Sequence, residues 1–393
     1  MKPLDRINHL QKKLGEQDLA GALIFYSRDV FYYTGTAQPA YLVILPDDYR
    51  LFIRSGYDFA RNDVFVDKDK VEEERRLDNI FNKISDDLGK GARRIGTELD
   101  VLTVEQFGPF KKAFRDYDLV NISPVVLEQR KTKDPGEIEK IRKACNAIHL
   151  GHEAVLAALK EGMTELELSA AVENAHRLAG HEGIFFIRQP DFFMSRGPIS
   201  SGENLFKTSG VVYTITGVGL SPSVPAGPSR RRLSKGDLVM VDIPVIVEGY
   251  HADQTRTYCL GKANESAMSM YVDLRNIADH LIANMRTGMR CNDIYRMAVE
   301  KASALGREGQ FQGFGGGKRS RLIGHGIGLE LNEPPIPSEY DKSPVEDGYV
   351  IALDMHMLDE SAGVVKLEDM ILIKKEGNEI LTRSDRGLFE VLR

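Results

Sequence analysis

Five side chains in the second half of the chain offer the ligand types of a metal centre. Four are carboxylates and one is an imidazole: Asp242, Asp253, His325, Asp354 and Glu368. Such an oxygen-rich set suits Mn, Co, Fe or Zn, and carboxylates can bridge two ions held roughly 3.5–4 Å apart. A hydroxide that bridges such a pair is a nucleophile for amide hydrolysis. We therefore predict two divalent metal ions and a hydrolytic reaction.

Two of these carboxylates lie in a predicted β-hairpin, VDIPVIVEGYHADQTRTY, over residues 241–258. If Glu248 and Gly249 form its turn, Asp253 faces Pro244 and Asp242 lies two residues from that pair. Side chains two residues apart on a strand point to one face, so the two aspartates are diagonal neighbours at roughly 7–8 Å. This spacing allows both carboxylates to converge on a metal pair.

A second predicted hairpin brings the other two carboxylates together. With Ser361 at the centre of its turn, Asp354 and Glu368 are direct partners on one face. Both lie in apolar runs, and a buried carboxylate without a cation is costly, so a metal explains them better than exposure to water does. His325 stands between glycines in GHGIG, residues 324–328, and glycine permits the close backbone approach that a ligand loop needs.

The length of 393 residues favours two domains, which we place at 1–125 and 126–393. The first domain alternates helical and strand patterns and is predicted to be an α/β module. Its first helix carries Ile7, Leu10 and Leu14 on one face. Strands are predicted at residues 20–26, 40–46, 49–55 and 92–99, and a charged helix at 71–88.

The second domain begins with a helix start signal and contains an internal repeat. Asp134, Pro135 and Glu137 supply an N-cap, a proline at the first helical position and a capping-box acid. Further on, residues 162–180 and 288–306 share a Gly-Met start, a Val-Glu-x-Ala core and a Leu near a final glycine. The repeat predicts two half-domains related by pseudo-two-fold symmetry, with the metal site on the axis.

Composition limits the partners and the compartment. The net charge of −6 gives no sign of a nucleic-acid partner, and the longest apolar runs are of strand length, which argues against a membrane span. The three cysteines lie far apart without ligand spacing, which argues against disulfides and against a zinc–thiolate site. We predict a reduced, cytoplasmic protein.

The ligand order and its flanking motifs resemble the pita-bread metallopeptidase family, which includes prolidases, Xaa-Pro aminopeptidases, methionine aminopeptidases and creatinase. The similarity is carried by GDLVMVDIPVIVEGYHADQTRTY and GHGIGLELNEPP and covers about residues 130–393. It implies an α+β pita-bread fold with pseudo-two-fold symmetry, preceded by a smaller creatinase-type α/β domain. It also implies a homodimer, and the choice among the metals above, manganese included, stays open.

By position, the resemblance also assigns the ligands. Asp242 would bind the first ion, His325 and Asp354 would bind the second, and Asp253 and Glu368 would bridge the two.

Four positions depart from the family pattern. Asp354 stands where the family has a glutamate that also serves as general base, and Lys366 replaces an arginine. Val224 and Asn332 occupy the places of two histidines that hold substrate and stabilise the oxyanion. His356, two residues beyond Asp354 on the same strand face, is the candidate replacement. The catalytic candidates are therefore Asp354, His356 and Asn332.

Three functions remain open at this stage. The first is an Xaa-Pro dipeptidase or aminopeptidase that cleaves an amide bond in a short peptide with a metal-bridged water. The second is a hydrolase of a small non-peptide C–N bond, like creatinase or ectoine hydrolase. The third is a binding protein that kept the fold without the chemistry, although its five possible ligands argue against this.

Overall fold

The computed structural model describes residues 3–192, 194–211 and 213–392. The chain divides into two compact units, Met1–Arg130 and Lys131–Arg393. The domain boundary expected between residues 125 and 126 stays a prediction. Within the described residues, no helix combines the length and apolar content that crossing a bilayer requires.

The first unit is a mixed six-stranded sheet with helices, in the strand order β4-β3-β2-β1-β5-β6. The central strands β1, β2 and β3 pair antiparallel, whereas β4, β5 and β6 join in parallel. Its elements are α1 (Pro3–Glu16), β1 (Gly21–Ile24), α2 (Ser27–Thr34), β2 (Ala40–Ile44), β3 (Tyr49–Ile53), α3 (Tyr57–Asp63), β4 (Val71–Glu73), α4 (Leu77–Ile84), β5 (Arg94–Thr97), α5 (Val104–Ala113), β6 (Asp118–Asn121) and α6 (Ser123–Lys131).

The predicted apolar face of the first helix is confirmed, since Ile7, Leu10 and Leu14 are all buried. The prediction of one charged helix over residues 71–88 was wrong at its start. Val71 is buried and pairs in parallel with Leu51 as part of the edge strand β4. The Glu74 carboxylate then accepts hydrogen bonds from the backbone N–H groups of the two following arginines, so the helix begins only at Leu77.

The second unit opens with the predicted capping box. The Asp134 side chain accepts the N–H of Glu137, whose side chain accepts the N–H of Asp134 in return. In the described part of this unit the α-helices are α7 (Pro135–Ala158), α8 (Glu165–Leu178), α9 (Glu265–Asn284) and α10 (Cys291–Ala304).

The internal repeat corresponds to matching helices. Both α8 and α10 have 14 residues, and each begins three residues after the glycine of its Gly-Met pair. Each also follows a longer helix, α7 with 24 residues and α9 with 20. The repeat therefore extends to local structure, whereas a two-fold axis through the metal site stays a prediction.

The strands of the second unit form several small sheets, of which two position the site. Their orders are β18-β11-β8-β7 and β14-β15-β16-β17. The strands are β7 (Ile199–Ser201), β8 (Leu238–Asp242), β9 (Val245–Val247), β10 (Tyr250–Ala252), β11 (Thr255–Leu260), β12 (Gly313–Gly315), β13 (Lys318–Arg319), β14 (His325–Gly326), β15 (Val350–Asp359), β16 (Gly363–Leu372), β17 (Glu379–Ile380) and β18 (Phe389–Val391).

Two apolar clusters support these sheets. One joins the buried faces of α9 and α10 to β15 and β16, and includes Leu274, Ile294 and Leu367. The other joins α7 and α8 to β8 and β11, and includes Val155 and Val239. All three cysteines are buried and free, as expected for a chain without disulfides. The site strands are therefore held from both sides by helices.

Candidate metal centre

The register predicted for the first hairpin is confirmed. Glu248 and Gly249 form the turn with φ of 51° and 79°, a backbone shape that matches the twist of paired strands. Tyr250 pairs with Val247, and the same register continues to the pair of Thr255 with Asp242. Asp242 is thus the last residue of β8, and Asp253 follows directly after β10.

The second hairpin also has the predicted register, with Asp354 directly opposite Glu368. On the other side of β15, His325 pairs with Ala352, which lies two residues from Asp354. Since alternate residues on a strand share a face, the imidazole and both carboxylates project from one face of the sheet.

The glycines around His325 provide close packing. A Cβ atom at Gly324 would come within 2.2 Å of the carbonyl oxygen of Ala352, and one at Gly326 within 2.4 Å of that of Pro334. Both contacts are to backbone atoms, which cannot move aside as a flexible side chain would. Glycine at position 324 therefore allows close packing against β15, and glycine at position 326 allows β14 to pack against residues 333–334, so that His325 is held between the two.

Three of the five predicted ligands converge tightly. Ligand atoms of Asp253, His325 and Glu368 all lie within 4.8 Å of one another. Nδ1 of His325 lies 3.1 Å from the carbonyl oxygen of Gly326, which leaves Nε2 directed to Glu368 Oε1 at 3.8 Å. Glu368 Oε1 is buried and, within the described residues, has no hydrogen-bond partner. A buried acceptor aimed at a histidine nitrogen fits a divalent ion.

The other two carboxylates contact a lysine. Lys366 Nζ lies 2.5 Å from Asp242 Oδ2 and 3.1 Å from Asp354 Oδ1. Thr257 Oγ1 donates to the carbonyl oxygen of Lys366 at 2.7 Å and accepts its N–H at 2.9 Å. Strand β11 therefore fixes the backbone from which this ammonium projects.

The electrostatics of the cluster favour a cation. Burial raises the pKa of Glu368 well above its ordinary value, and the neighbouring Asp253 carboxylate raises it further. Burial and Asp242 do the same to the pKa of Asp253. Burial lowers the pKa of His325, which keeps its imidazole neutral, as a metal ligand must be.

Within the described residues, Lys366 is the only positively charged side chain that contacts Asp242 or Asp354. Burial alone would lower the pKa of Lys366, but Asp242, Asp354 and Glu368 outweigh burial and raise it. The lysine therefore carries its positive charge throughout the physiological pH range.

A cavity of about 340 Å³ opens onto the cluster and is lined by all five predicted ligands. Much of its remaining wall is apolar and includes Ile187, Phe192, Met194, Val211, Leu331 and Ile336. Among the described residues that line it, there is no lysine or arginine. The cavity therefore suits an apolar group that is held beside the metal position.

The remaining predicted residues differ in their placement. Asn332 lines the cavity. Val224 is 40% exposed and is absent from the described lining. His356 is fully buried beneath Phe314, with Nε2 3.1 Å from the carbonyl oxygen of Gly313, and burial lowers its pKa to about 4. The catalytic role of His356 stays a prediction, and a purely structural role is the alternative.

Sequence reasoning missed a second wall of the site. Tyr213, Thr214 and Thr216 line the cavity, and Thr214 Oγ1 donates to Asp354 Oδ1 at 3.3 Å. The buried Ile215 between the two threonines gives a short alternation of polar and apolar residues. That alternation is the local sequence signal that could have indicated this wall. It is weak, because the segment does not form a regular strand.

Two family models match the chain. Metallopeptidase family M24 matches residues 139–375, and the Creatinase/Prolidase N-terminal domain matches residues 6–132. Among curated relatives, an Xaa-Pro dipeptidase of Pyrococcus furiosus is 26% identical over 391 residues, which covers 98% of this chain and 99% of that protein. An Xaa-Pro dipeptidase of Pyrococcus horikoshii is likewise 26% identical, covering 98% of this chain and all of its own.

Solved structures agree on the fold. The prolidase from Pyrococcus horikoshii superimposes with a TM-score of 0.81 at 23% identity, covering 98% of this chain and 100% of that one. An Xaa-Pro dipeptidase from Bacillus anthracis gives a TM-score of 0.83 at 20% identity, covering 99% of both chains. The predicted pita-bread architecture with its creatinase-type N-terminal domain is confirmed. This chain belongs to metallopeptidase family M24 and is a metallopeptidase-type hydrolase.

Proposed function

We propose that this protein is a metal-dependent Xaa-Pro peptidase, acting on dipeptides or at the N-terminus of short peptides. The observation that carries the proposal is the convergence of Asp253, His325 and Glu368 at a cavity large enough for a small peptide. The full-length similarity to two Xaa-Pro dipeptidases supports the same substrate class.

The chain's own residues supply the remaining roles. Asp253, His325 and Glu368 would hold a divalent ion, which would supply a nucleophile by lowering the pKa of a water. The Asp354 carboxylate faces the cavity and is placed to accept the proton that the nucleophile loses. Asn332 lines the same cavity, and its amide would donate a hydrogen bond to the oxygen that becomes negative during attack. Thr214 orients Asp354 through its hydroxyl.

The number and identity of the ions belong to this proposal. The sequence predicts two ions drawn from Mn, Co, Zn and Fe. Asp253, His325 and Glu368 support one position directly. The second position would draw on Asp242 and Asp354, whose oxygens contact Lys366.

One observation favours the second candidate function, hydrolysis of a small non-peptide C–N bond. A free dipeptide carries a carboxylate, which proteins ordinarily pair with arginine or lysine. Neither residue type is found in the described lining of the cavity. A substrate without a free carboxylate, such as an N-acyl metabolite or a peptide with a blocked C-terminus, would not bring an unpaired negative charge into the cavity.

Release of the product amine or proline from a small substrate panel tests both candidates. Mn-loaded protein is incubated with Ala-Pro, Ala-Pro amide and N-acyl amides of small amines, with Asp253→Asn as the inactive control. Hydrolysis of Ala-Pro supports the peptidase proposal, and faster turnover of the amide identifies the uncharged end as preferred. Cleavage of the N-acyl amides alone would favour the second candidate and contradict the first.

The homodimer and the cytoplasmic location stay predictions. Sedimentation equilibrium of the purified protein checks the first, with a mass of one chain as the contrary result. Fractionation of cells that produce the protein checks the second.

A further inference from the structure

Lys366 lies between two carboxylates that a two-metal site would assign to different ions. Its Nζ is 2.5 Å from Asp242 Oδ2 and 3.1 Å from Asp354 Oδ1. The lysine side chain is 1% exposed, so water does not screen these contacts. In a two-ion site Asp242 would bind the first ion and Asp354 the second, and here both carboxylates contact the ammonium instead.

The ligands that remain make one complete position. Among the described residues, only Asp253, His325 and Glu368 form a group of three whose ligand atoms lie within 4.8 Å of one another. Asp242 and Asp354 are outside that group. A buried oxygen of Glu368 that lacks a hydrogen-bond partner among the described residues points into it.

We infer that this enzyme binds a single divalent ion, through Asp253, His325 and Glu368. The ammonium of Lys366 stands where a second ion would neutralise Asp242 and Asp354. The inference rests on the proposed function for the identity of the site, and it changes the number of ions that the sequence predicts.

The chemistry of the residues involved supports the replacement of a second ion by the Lys366 ammonium. A lysine ammonium is a compact charge with three donors, so it can serve two carboxylates that approach from different directions. Asp354 is one methylene shorter than glutamate, and Thr214 also donates to the oxygen of Asp354 that faces the lysine. Thr257 holds both backbone polar groups of Lys366, which keeps the ammonium in place.

The ammonium supplies charge but does not activate water. It neutralises the two acids and holds Asp354 beside the cavity, where a proton acceptor is needed. A second ion would have to displace it, or bind next to an existing positive charge.

Counting Mn²⁺ in the full-length protein tests the inference. Protein is saturated with Mn²⁺ and desalted, and the metal is measured by mass spectrometry and by electron paramagnetic resonance. We expect about one ion per chain with the spectrum of an isolated ion. Lys366→Met, which keeps a long unbranched side chain and removes the charge, should take up about two ions with the spectrum of an exchange-coupled pair.

Lys133→Met is the matched control. Lys133 is also a buried lysine, with Nζ 2.8 Å from a carboxylate oxygen of Glu333, but neither residue is a proposed ligand. Its metal count should equal that of the wild type. If Lys366→Met fails to fold, the wild-type count and spectrum still decide the question.

The outcomes separate this inference from the proposed function. About two coupled ions in the wild type overturns the inference, even if Ala-Pro is cleaved. One ion without hydrolysis of any substrate leaves the inference standing and refutes the proposed function. A wild type that retains no metal refutes both.

Discussion

Glu368 is the residue at which the contacts of the site converge. Its Oε2 accepts a hydrogen bond from Thr255 at 2.8 Å, and its backbone carbonyl accepts one from Arg256 at 2.6 Å. The other carboxylate oxygen faces His325. Side chain and backbone are thus both held, so the free oxygen is presented in a fixed position. A ligand positioned in advance loses little conformational entropy when it binds an ion.

We expect Glu368→Gln to lower metal affinity by at least about 30-fold, the equivalent of the roughly 2 kcal/mol lost when one partner of a buried charge pair is removed. Glutamine keeps the volume and the contact with Thr255 but removes the charge. Competition against a fluorescent chelator measures the affinity. The control is Glu360→Gln, an exposed residue in the turn of the same hairpin. Equal affinities for the variant and the wild type would show that Glu368 is not a ligand.

The second prediction at this scale concerns His356. A catalytic role requires a 10²–10⁴-fold fall in kcat for His356→Gln with an unchanged melting temperature. The buried ring and its contact with the carbonyl oxygen of Gly313 instead favour a structural role. We therefore expect a lower melting temperature and a kcat within about tenfold of the wild type. Thermal unfolding and turnover of the same preparation distinguish the two, and a large fall in kcat alone would support the catalytic role.

At the scale of elements, the hairpins were predictable because turn chemistry and strand period act locally. Glu248 and Gly249 fix the register of the first hairpin, and the apolar runs around Asp354 and Glu368 are typical of strands that are buried on both faces, as β15 and β16 are. The engagement of Lys366 by Asp242 was not predictable. Asp242 lies in β8 and Lys366 in β16, which belong to different sheets. The pattern of residues within one strand does not indicate which residue of the other strand it will contact.

The strand at residues 71–73 shows the opposite failure. Its charged residues continue into a helical pattern, and local propensity favours one long helix. The deciding interaction is the parallel pairing of Val71 with Leu51, a partner 20 residues earlier. Tertiary pairing overrode the local preference there, as it often does for short edge strands.

We expect Gly326→Ala to destabilise the catalytic unit by about 1–3 kcal/mol, the usual cost of overpacking. The added Cβ would meet the backbone of residues 333–334 at 2.4–2.6 Å, and relief of this clash moves His325. Metal retention should therefore fall together with the melting temperature. Gly309→Ala is the control, because a Cβ atom there has no neighbour within 4 Å. If Gly326→Ala matched the control in both measurements, the close approach of β14 would not be needed.

At the scale of the whole molecule, the outline of the fold was predictable from the sequence. The family motifs cover most of the second unit, and the first unit shows clear strand periods. The apolar cavity was not predictable, because its walls come from segments with little regular structure, including those around Phe192 and Tyr213. Their positions depend on packing across the unit and not on local pattern.

Acid stability also belongs to this scale, and buried histidines should limit it. Burial, together with the nearby His181, lowers the pKa of His176 to about 4. Between pH 6.5 and pH 4 the unfolded chain binds a proton that the folded chain does not, so stability is lost as the pH falls. Over two pH units this amounts to at most about 2.7 kcal/mol, or on the order of 5 °C in melting temperature.

Melting temperatures of the wild type and His176→Gln, measured from pH 7 to pH 4.5, check this expectation. The variant should lose less stability on acidification than the wild type, whatever its stability at neutral pH. His9→Gln, which changes an exposed histidine, should follow the wild-type profile. Parallel profiles for all three proteins would remove His176 as the cause.

Single-residue insertions should act very differently in two parts of the second hairpin. Beside the exposed Glu360 an added residue only lengthens a surface turn. Between Lys366 and Glu368 it changes an even spacing to an odd one and turns the ammonium and the carboxylate to opposite faces of β16. Lys366 and Glu368 must therefore stay an even number of residues apart, as well as close together, to share one face of β16. Natural length variation in this hairpin should be confined to its turn.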